Sequence, residues 1–442
     1  MRTFRIGGIH PKSNKLSAGR PIESIAPPAE AVISLGQHLG APATATVAKG
    51  DKVKVGTLIG KATGFVSANV HSSVSGTVSK VDMMTDGSGI ARQAVFITVE
   101  GDEWEDCIDR SEEIIHDCPL IVPDIIAKIE AAGVVGMGGA TFPTKVKLSP
   151  PPGIKAEILI VNAVECEPYL TADHSLIMAK AEQIVVGTVI LMGALGIDRA
   201  VIGVESNKPD AIALLSRFAR KRLGVEVMSL KVQYPQGGEQ QLIDAVMRRQ
   251  VKSGALPVSV GAVVQNAGTV YAVYEAVQKN KPLIERVVTV TGKSLAQPSN
   301  FLARIGTPVR SLIEAAGGLP EDTGKIIGGG PMMGRAMVSA DSPVMKGSSG
   351  ILLIKSDESV RREMHDCIRC AKCVRACPMG LEPSLLMNLT EYKVWDTAEK
   401  NYVVDCIECG SCNYVCPANR PLLDYIRVAK AKVTGIIRAR KI

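Results

Sequence analysis

Eight of the eleven cysteines fall into two copies of one spacing: Cys367, Cys370, Cys373, Cys377-Pro378 and Cys406, Cys409, Cys412, Cys416-Pro417. Written out, each copy is CxxCxxCxxxCP. Three thiolates with two residues between neighbours all point inward only when their loop curls around a single iron-sulfide cubane. The fourth iron is then left to a thiolate from elsewhere. Such a group takes or gives one electron at a time, so the chemistry these residues specify is single-electron transfer.

In two-cluster ferredoxins the fourth thiolate comes from the other motif, immediately before a proline. On that arrangement one [4Fe-4S] cluster takes Cys367, Cys370, Cys373 and Cys416, and the second takes Cys406, Cys409, Cys412 and Cys377. Crossed ligation sets the two cubanes side by side. A tetrahedral zinc site needs only two CxxC pairs, without a third thiolate in each loop or a trailing CP. Disulfide frameworks suit short secreted chains, and this one is long, opens without an apolar leader and is not rich in cysteine. The remaining thiols, Cys107, Cys118 and Cys166, are expected to be buried and inert.

The elements that must hold these loops make up most of the chain. At 442 residues it has room for three or four domains of ~100–200 residues each. Its 46% hydrophobic and 4% aromatic content suits an α/β core of Ala, Val, Ile and Leu. The start, MRTFRIGGIHPK, has no signal-peptide pattern. The longest uncharged apolar run, Ile184 to Ile197, is interrupted by glycine and falls short of the ~18–20 residues of a spanning helix. A soluble or peripheral protein of the reducing cytoplasm is expected. Net charge is +7, with much of the excess in the tail Arg427–Ile442, which suits anionic lipid, an acidic partner or a solvated terminal helix. No basic stretch is interleaved with stacking aromatics, so nucleic acid is not an expected partner.

Four segments differ in pattern, with boundaries expected at 1–115, 116–285, 286–356 and 357–442, which makes the fold class multidomain α/β. Residues 40–100 read as short strands and turns, as in VAKGDKVKVGTLIG, and resemble the barrel-sandwich (lipoyl-like) fold of biotinyl and lipoyl carriers. Phe65 stands where those carriers present a modified lysine, which implies a structural or docking role. From 118 to 285, apolar strands such as AEILIVNAVE alternate with helical stretches such as EQIVVGTVILMGALG. That alternation predicts a parallel sheet with helices on its faces and ligands at the strands' carboxyl ends. Residues 286–355 resemble a β-grasp module of the SLBB kind. Beyond 360 the cysteine loops alternate with helical stretches, predicting a mostly helical ferredoxin-type unit.

Between Gly133 and Lys147 the chain reads GVVGMGGATFPTKVK. Gly136, Gly138 and Gly139 let backbone amides approach a phosphate or a flat ring with no Cβ in the way. The pattern is neither a P-loop nor the dinucleotide GxGxxG, and plain chain reversal uses such turns equally well. Three more polar or glycine-containing segments follow apolar strands: VNAVECEP from Val161, YPQGGEQQL from Tyr234 and VVQNAGT from Val263.

Taken in this order with the glycine loop, these segments resemble the NADH-oxidising flavoprotein subunit of respiratory complex I. The resemblance implies an FMN lined by Gly136, Gly138, Gly139 and Lys147, with Asn162, Glu165, Gly237, Asn266 and Thr269 at further flavin positions. It implies that Phe142 stacks on the NADH adenine and that Glu167 and Glu239 lie beside the nucleotide. Three positions depart from that family: Val164 replaces an acidic residue, Cys166 a serine and Gly238 a glutamate. Two fewer carboxylates imply an altered flavin potential and nucleotide grip.

The order of segments, with GGIHPK near the start and GGGPMMG from Gly328, resembles the C-subunit family of the Rnf electron-transport complex over nearly the whole chain. Some members carry a long Ala/Lys-rich tail after the second cysteine motif, and this chain ends soon after it. The resemblance implies a peripheral subunit on the cytoplasmic face of the bacterial inner membrane, held there by other Rnf subunits that include a ferredoxin-like one. It also implies hydride exchange between NAD(H) and FMN and onward passage of single electrons, coupled to Na+ or H+ movement. Two other readings share these parts. A related cobalamin reductase has its sandwich-like region after the clusters, and a ferredoxin-like adaptor would have no working flavin pocket.

Overall fold

The structure is a computed structural model and describes residues 1–440. Near the N-terminus, Glu30–Ser34, Ala91–Val99, Gly76–Thr85 and Lys52–Val53 pair in that order into an antiparallel sheet. A second sheet holds Thr44–Ala45, Leu58–Lys61 and Val70–His71. Alternate residues such as Ala31, Ile33, Val95 and Ile97 are fully buried, the period-two pattern of a sheet with one face in the core. Phe65, in a bend between Leu58–Lys61 and Val70–His71, is 63% exposed and adds nothing to that core.

Residues 122–278 form the expected parallel unit. Its strands run in the order Val225–Leu230, Ala200–Glu205, Ile158–Asn162, Ala262–Asn266. Leu159, Val161, Ile202 and Val263 face the helices Ala172–Leu195, Pro209–Ala219 and Ala267–Gln278, whereas Ile158, Ile160, Val201 and Val264 face Glu239–Met247. Both faces are covered, which is why the strands read as continuous apolar runs.

Helix Ala172–Leu195 begins well before the stretch its apolar run marks, and continues through a non-helical kink at Lys180. Asp173, Lys180 and Glu182 interrupt the hydrophobic pattern, so sequence periodicity marks only its second half. It is long and apolar enough to cross a membrane by length and composition, yet 61% of its most apolar window is buried inside the protein. An all-round apolar helix of this kind is a core helix. It crosses Ala267–Gln278 at Gly187, where a Cβ would run into the Val270 carbonyl. Gly187→Val is therefore expected to cost at least ~1–3 kcal/mol, the usual penalty of overpacking, read as a lowered midpoint of thermal unfolding.

The β-grasp sheet has the order Ile22–Ser24, Ser299–Arg304, Glu285–Gly292, Gly350–Lys355, Thr323–Gly328, Arg335–Ala336, with helix Val309–Ala315 packed on it. Its first strand comes from the N-terminal region and pairs in parallel with Asn300–Leu302. The cysteine-rich unit is mostly helical, its longest helix being Leu422–Ala439. The apolar face of that helix, including Leu422, Ile426 and Val433, is buried within the unit. Of the roles suited to the basic tail, lying on lipid by that face is thereby removed; residues 441 and 442 lie outside the described residues.

Candidate functional site

Asn162 and Asn266 end neighbouring parallel strands and are register partners. The chain leaves Ile158–Asn162 towards one side of the sheet and returns on the other, so this pair marks the switch point where such sheets open a crevice. The Asn266 side chain accepts the amides of Gly268 and Thr269 at 2.9 and 3.3 Å, capping helix Ala267–Gln278. Buried Thr269 then accepts the Met137 amide at 2.8 Å. This seats the glycine loop on the helix start.

The loop is closed by Gly136 N–H donating to the Phe142 carbonyl at 2.9 Å. A Cβ on Gly138 would lie 2.8 Å from the Asn266 amide nitrogen, and Gly139 has nothing within 4 Å. Gly138 and Gly139 are exposed and Phe142 is half-buried. On the facing wall, Asn162 donates to the Gly237 carbonyl at 2.8 Å. Lys147 Nζ bridges the Glu239 carboxylate at 2.7 Å and the Val264 carbonyl at 2.9 Å, and Glu239 opens helix Glu239–Met247, where the helix dipole favours an anion.

The other two carboxylates turn elsewhere. Glu165, at positive φ, accepts the amides of Asp173 and His174 at 2.7 and 3.2 Å and caps the long core helix. Glu167 accepts Met332 and Met333 amides at 2.6 and 3.0 Å, from the GGGPMMG loop of the β-grasp unit. Burial pushes the Glu167 carboxyl up, against the pull of these amides. Val164 is fully buried, and its carbonyl accepts Lys208 Nζ at 2.7 Å. Cys166 accepts the Gly237 amide through sulfur at 3.4 Å, and burial pushes its thiol up to about 12, an inert state. Gly238 serves as the cap residue before helix Glu239–Met247. Cys118 is half-buried and Cys107 exposed, so the expectation of burial fails for Cys107, which lies on the surface connection between two units.

Several charged groups here escape sequence reading. Asp173 accepts the Asn266 amide nitrogen at 2.6 Å, and burial, then Glu165, pushes it up to about 6. Buried Arg286 donates to the Lys346 carbonyl at 2.6 Å and the Met137 carbonyl at 3.4 Å, behind the glycine loop. Lys15 donates to the carbonyls of Glu165, Glu167 and Leu170. Only Asp173 leaves a local signal, a carboxylate just after Thr171 at a helix start.

The residues present fit a phosphorylated flavin. The exposed, Cβ-free Gly138 and Gly139, the Lys147 ammonium and the strand-end pair Asn162 and Asn266 lie around one edge of the sheet, donors of the kind a bound polar group satisfies.

The cysteine unit has its own convergence. Cys377, Cys406, Cys409 and Cys412 line one cavity with Pro378, Leu381 and Ile426. Backbone amides already point at sulfur, Leu381 to Cys377 and Glu408 to Cys406, each at 3.4 Å. Burial raises the pKa of all four thiols, Cys406 to about 11, so four thiolates there need metal charge to offset them. Four unbridged thiols around a cavity fit a cubane. From the other set, Cys373 and Cys416 pack beside Met387 and Leu422, Cys370 is half-buried and Cys367 exposed.

Comparison with known proteins agrees with this anatomy. Residues 3–102 match the RnfC barrel sandwich hybrid domain, 129–275 the Nuo51 FMN-binding domain, 287–336 the SLBB domain and 359–417 the 4Fe-4S dicluster domain. In fold, the chain is similar to an NAD+-reducing [NiFe]-hydrogenase in its H2-reduced state, with TM-score 0.51 and 19% identity, over 71% of this chain and 62% of that one. It is 46% identical over 437 residues to the C subunit of the proton-translocating ferredoxin:NAD(+) oxidoreductase complex of Clostridium ljungdahlii, covering 98% of this chain and 94% of that protein. The Na(+)-translocating counterpart from Acetobacterium woodii is 43% identical over 433 residues, covering 98% and 97%. With the barrel sandwich ahead of the cysteine loops and identity sustained from end to end, the chain belongs to the C-subunit family of ion-translocating ferredoxin:NAD(+) oxidoreductase complexes.

Proposed function

We propose that this protein is the peripheral subunit at which a membrane-bound, ion-translocating ferredoxin:NAD(+) oxidoreductase exchanges hydride with NAD(H) and passes electrons on singly. Bound FMN supplies the conversion between two-electron hydride chemistry and one-electron transfer, which nicotinamide and iron-sulfur groups cannot make between themselves. Two [4Fe-4S] clusters are assigned, one to Cys367, Cys370, Cys373 and Cys416, the other to Cys406, Cys409, Cys412 and Cys377. The proposed units are 1–115, 116–285, 286–356 and 357–442.

The chain's own residues have separable tasks in this reading. Gly138 and Gly139 offer amides and close approach, Gly136 closes the loop that presents them, and Lys147 holds positive charge beside the phosphate or ring. Asn162, Gly237, Asn266 and Thr269 fix the two walls, with Glu165 securing the helix behind them. Glu239 and Phe142 face the nucleotide side, and Glu167 ties that side to the β-grasp loop. The proposed partners are the other subunits of the complex, including a ferredoxin-like one, on the cytoplasmic face of the bacterial inner membrane. A gap of ~100 mV for two electrons yields about 4.6 kcal/mol, and moving one charge against ~100 mV costs about 2.3. One or two ions per electron pair is thus feasible, with the pumping left to subunits that span the membrane.

The observation that carries the reading is contact between the two halves of the chemistry: Tyr234, on a flavin-side loop, donates its hydroxyl to the Cys409 carbonyl at 2.8 Å. Protein purified without oxygen is expected to hold about eight irons, two cubanes of four, and one releasable FMN, with NADH bleaching both chromophores. Flavin-replete protein that stays oxidised under NADH would instead favour the adaptor reading.

A further inference from the structure

We propose that the N-terminal segment Arg2–Ser17, together with Tyr234, is a positioning strap that holds the Cys377/Cys406/Cys409/Cys412 site against the flavin loop. That site is then the first one-electron acceptor, and the Cys367/Cys370/Cys373/Cys416 site is the exit. The inference rests on the flavin and cluster assignments just made, and adds an order of transfer and the residues that enforce it.

The strap touches both sides along its length. Arg2 bridges to Leu230 at the end of the parallel sheet, and Arg5 pairs with Asp244 on helix Glu239–Met247 at 2.6 Å. Gly7, at φ 71°, packs so closely on Cys377 that a Cβ would overlap the Cys377 carbonyl. Gly8 N–H donates to the Ala376 carbonyl at 3.0 Å, and Ile9 exchanges two backbone bonds with Tyr234, each 2.9 Å. Ile9, Tyr234, Ala376 and Cys409 share one small apolar core, with Cys166 packed against it. Buried Tyr234 thus takes its backbone partner from the strap and gives its hydroxyl to the loop of the second motif, three residues from Gly237.

Among the described residues, the loop 367–373 of the first motif has no such ties; the strap meets that motif only at its last two residues, Ala376 and Cys377, the latter on the second site. Its flank bonds within its own unit, His365 N–H to the Ala418 carbonyl at 3.0 Å and Arg375 to the Cys370 carbonyl at 3.2 Å, and Cys367 is exposed. With FMN and both clusters bound, a reduced flavin would give the nearer cluster one electron, which would move to the outer cluster, and then a second that would stay on the nearer one, its protons being released to solvent.

The test uses anaerobic holoprotein in which a deazaflavin flash, needing no nucleotide, reduces the flavin. Tyr234→Phe keeps the ring and removes the hydroxyl, and Gly7→Ala adds one methyl group against the Cys377 carbonyl. Each is expected to slow flavin-to-cluster transfer by about tenfold or more, the scale of an ångström-level misplacement, and to shift the midpoint potential of the second-motif cluster. Flavin content should stay at the wild-type value, and in the wild type the fast phase should appear in the EPR signal of the second-motif cluster. If Gly7→Ala loses iron, Tyr234→Phe alone decides the matter. An unchanged rate and potential in Tyr234→Phe, or a wild-type fast phase carried by the first-motif cluster, overturns the strap. Failure of NADH to reduce wild-type flavin would count against the functional reading instead, and leaves the flash measurement intact.

Discussion

Cys377→Ser is expected to abolish the EPR signal of the cluster bound by Cys406, Cys409 and Cys412 while leaving most of that bound by Cys367, Cys370 and Cys373. The reasoning is spatial. Cys377 belongs to the first motif by sequence, yet its side chain shares a cavity with the three thiols of the second. Burial opposes ionisation of each of those thiols, and a serine hydroxyl is a far poorer thiolate substitute at the remaining iron. Iron content should fall by about half, from two cubanes towards one. Loss of the first signal alone would show that each motif closes on its own fourth cysteine.

Lys346→Met is expected to flatten the pH dependence of stability. Lys346 is 1% exposed, and its ammonium donates to the Asn69 and Gly133 carbonyls at 2.7 and 2.8 Å. Those carbonyls belong to the barrel sandwich and the parallel unit, so the lysine of the β-grasp unit pins three units together. Burial pulls its pKa from 10.5 down to about 7, while the two carbonyls favour the charged form. Between those values the unfolded chain binds the proton and the folded chain releases it, so stability rises with pH across that window. Below about 7 both states are charged and the burial cost is fully present. The stability of the wild type should climb from pH 7 towards 10 by on the order of a few kcal/mol, read as a rising apparent unfolding temperature at one scan rate, and the methionine variant should lack most of that climb. An equal slope in both would remove Lys346 as its source. Neighbouring His71, held down to about 3 by burial and then by Lys346, adds a separate loss as pH falls from 6.5 towards 3.

What can be read from the sequence is local. The cysteine spacings, the glycine loop and the polar segments after apolar strands each lie within about a dozen residues, and the parallel sheet then gathers those segments on one edge. Helix Ala172–Leu195 is only half visible because Asp173, Lys180 and Glu182 break its apolar pattern, and the local trace of its start is Asp173 itself, two residues after Thr171. Tyr234, Lys15 and Arg286 carry no local signal at all, since their partners lie far away in the chain. Strand Ile22–Ser24 is too short to declare a sheet, and its place is set by the edge of Ser299–Arg304. Lys346 looks in sequence like any surface lysine; only tertiary packing makes it a buried cation.

The interlocked N-terminus has a consequence for biosynthesis. Residues 7–9 are made well before Ala376 and Cys377, against which they settle, roughly tens of seconds earlier at ordinary elongation rates. The leading segment must wait without its final neighbours until the iron-binding part emerges. Seating of the strap and assembly of the second cysteine site are thereby driven towards the same late moment of synthesis.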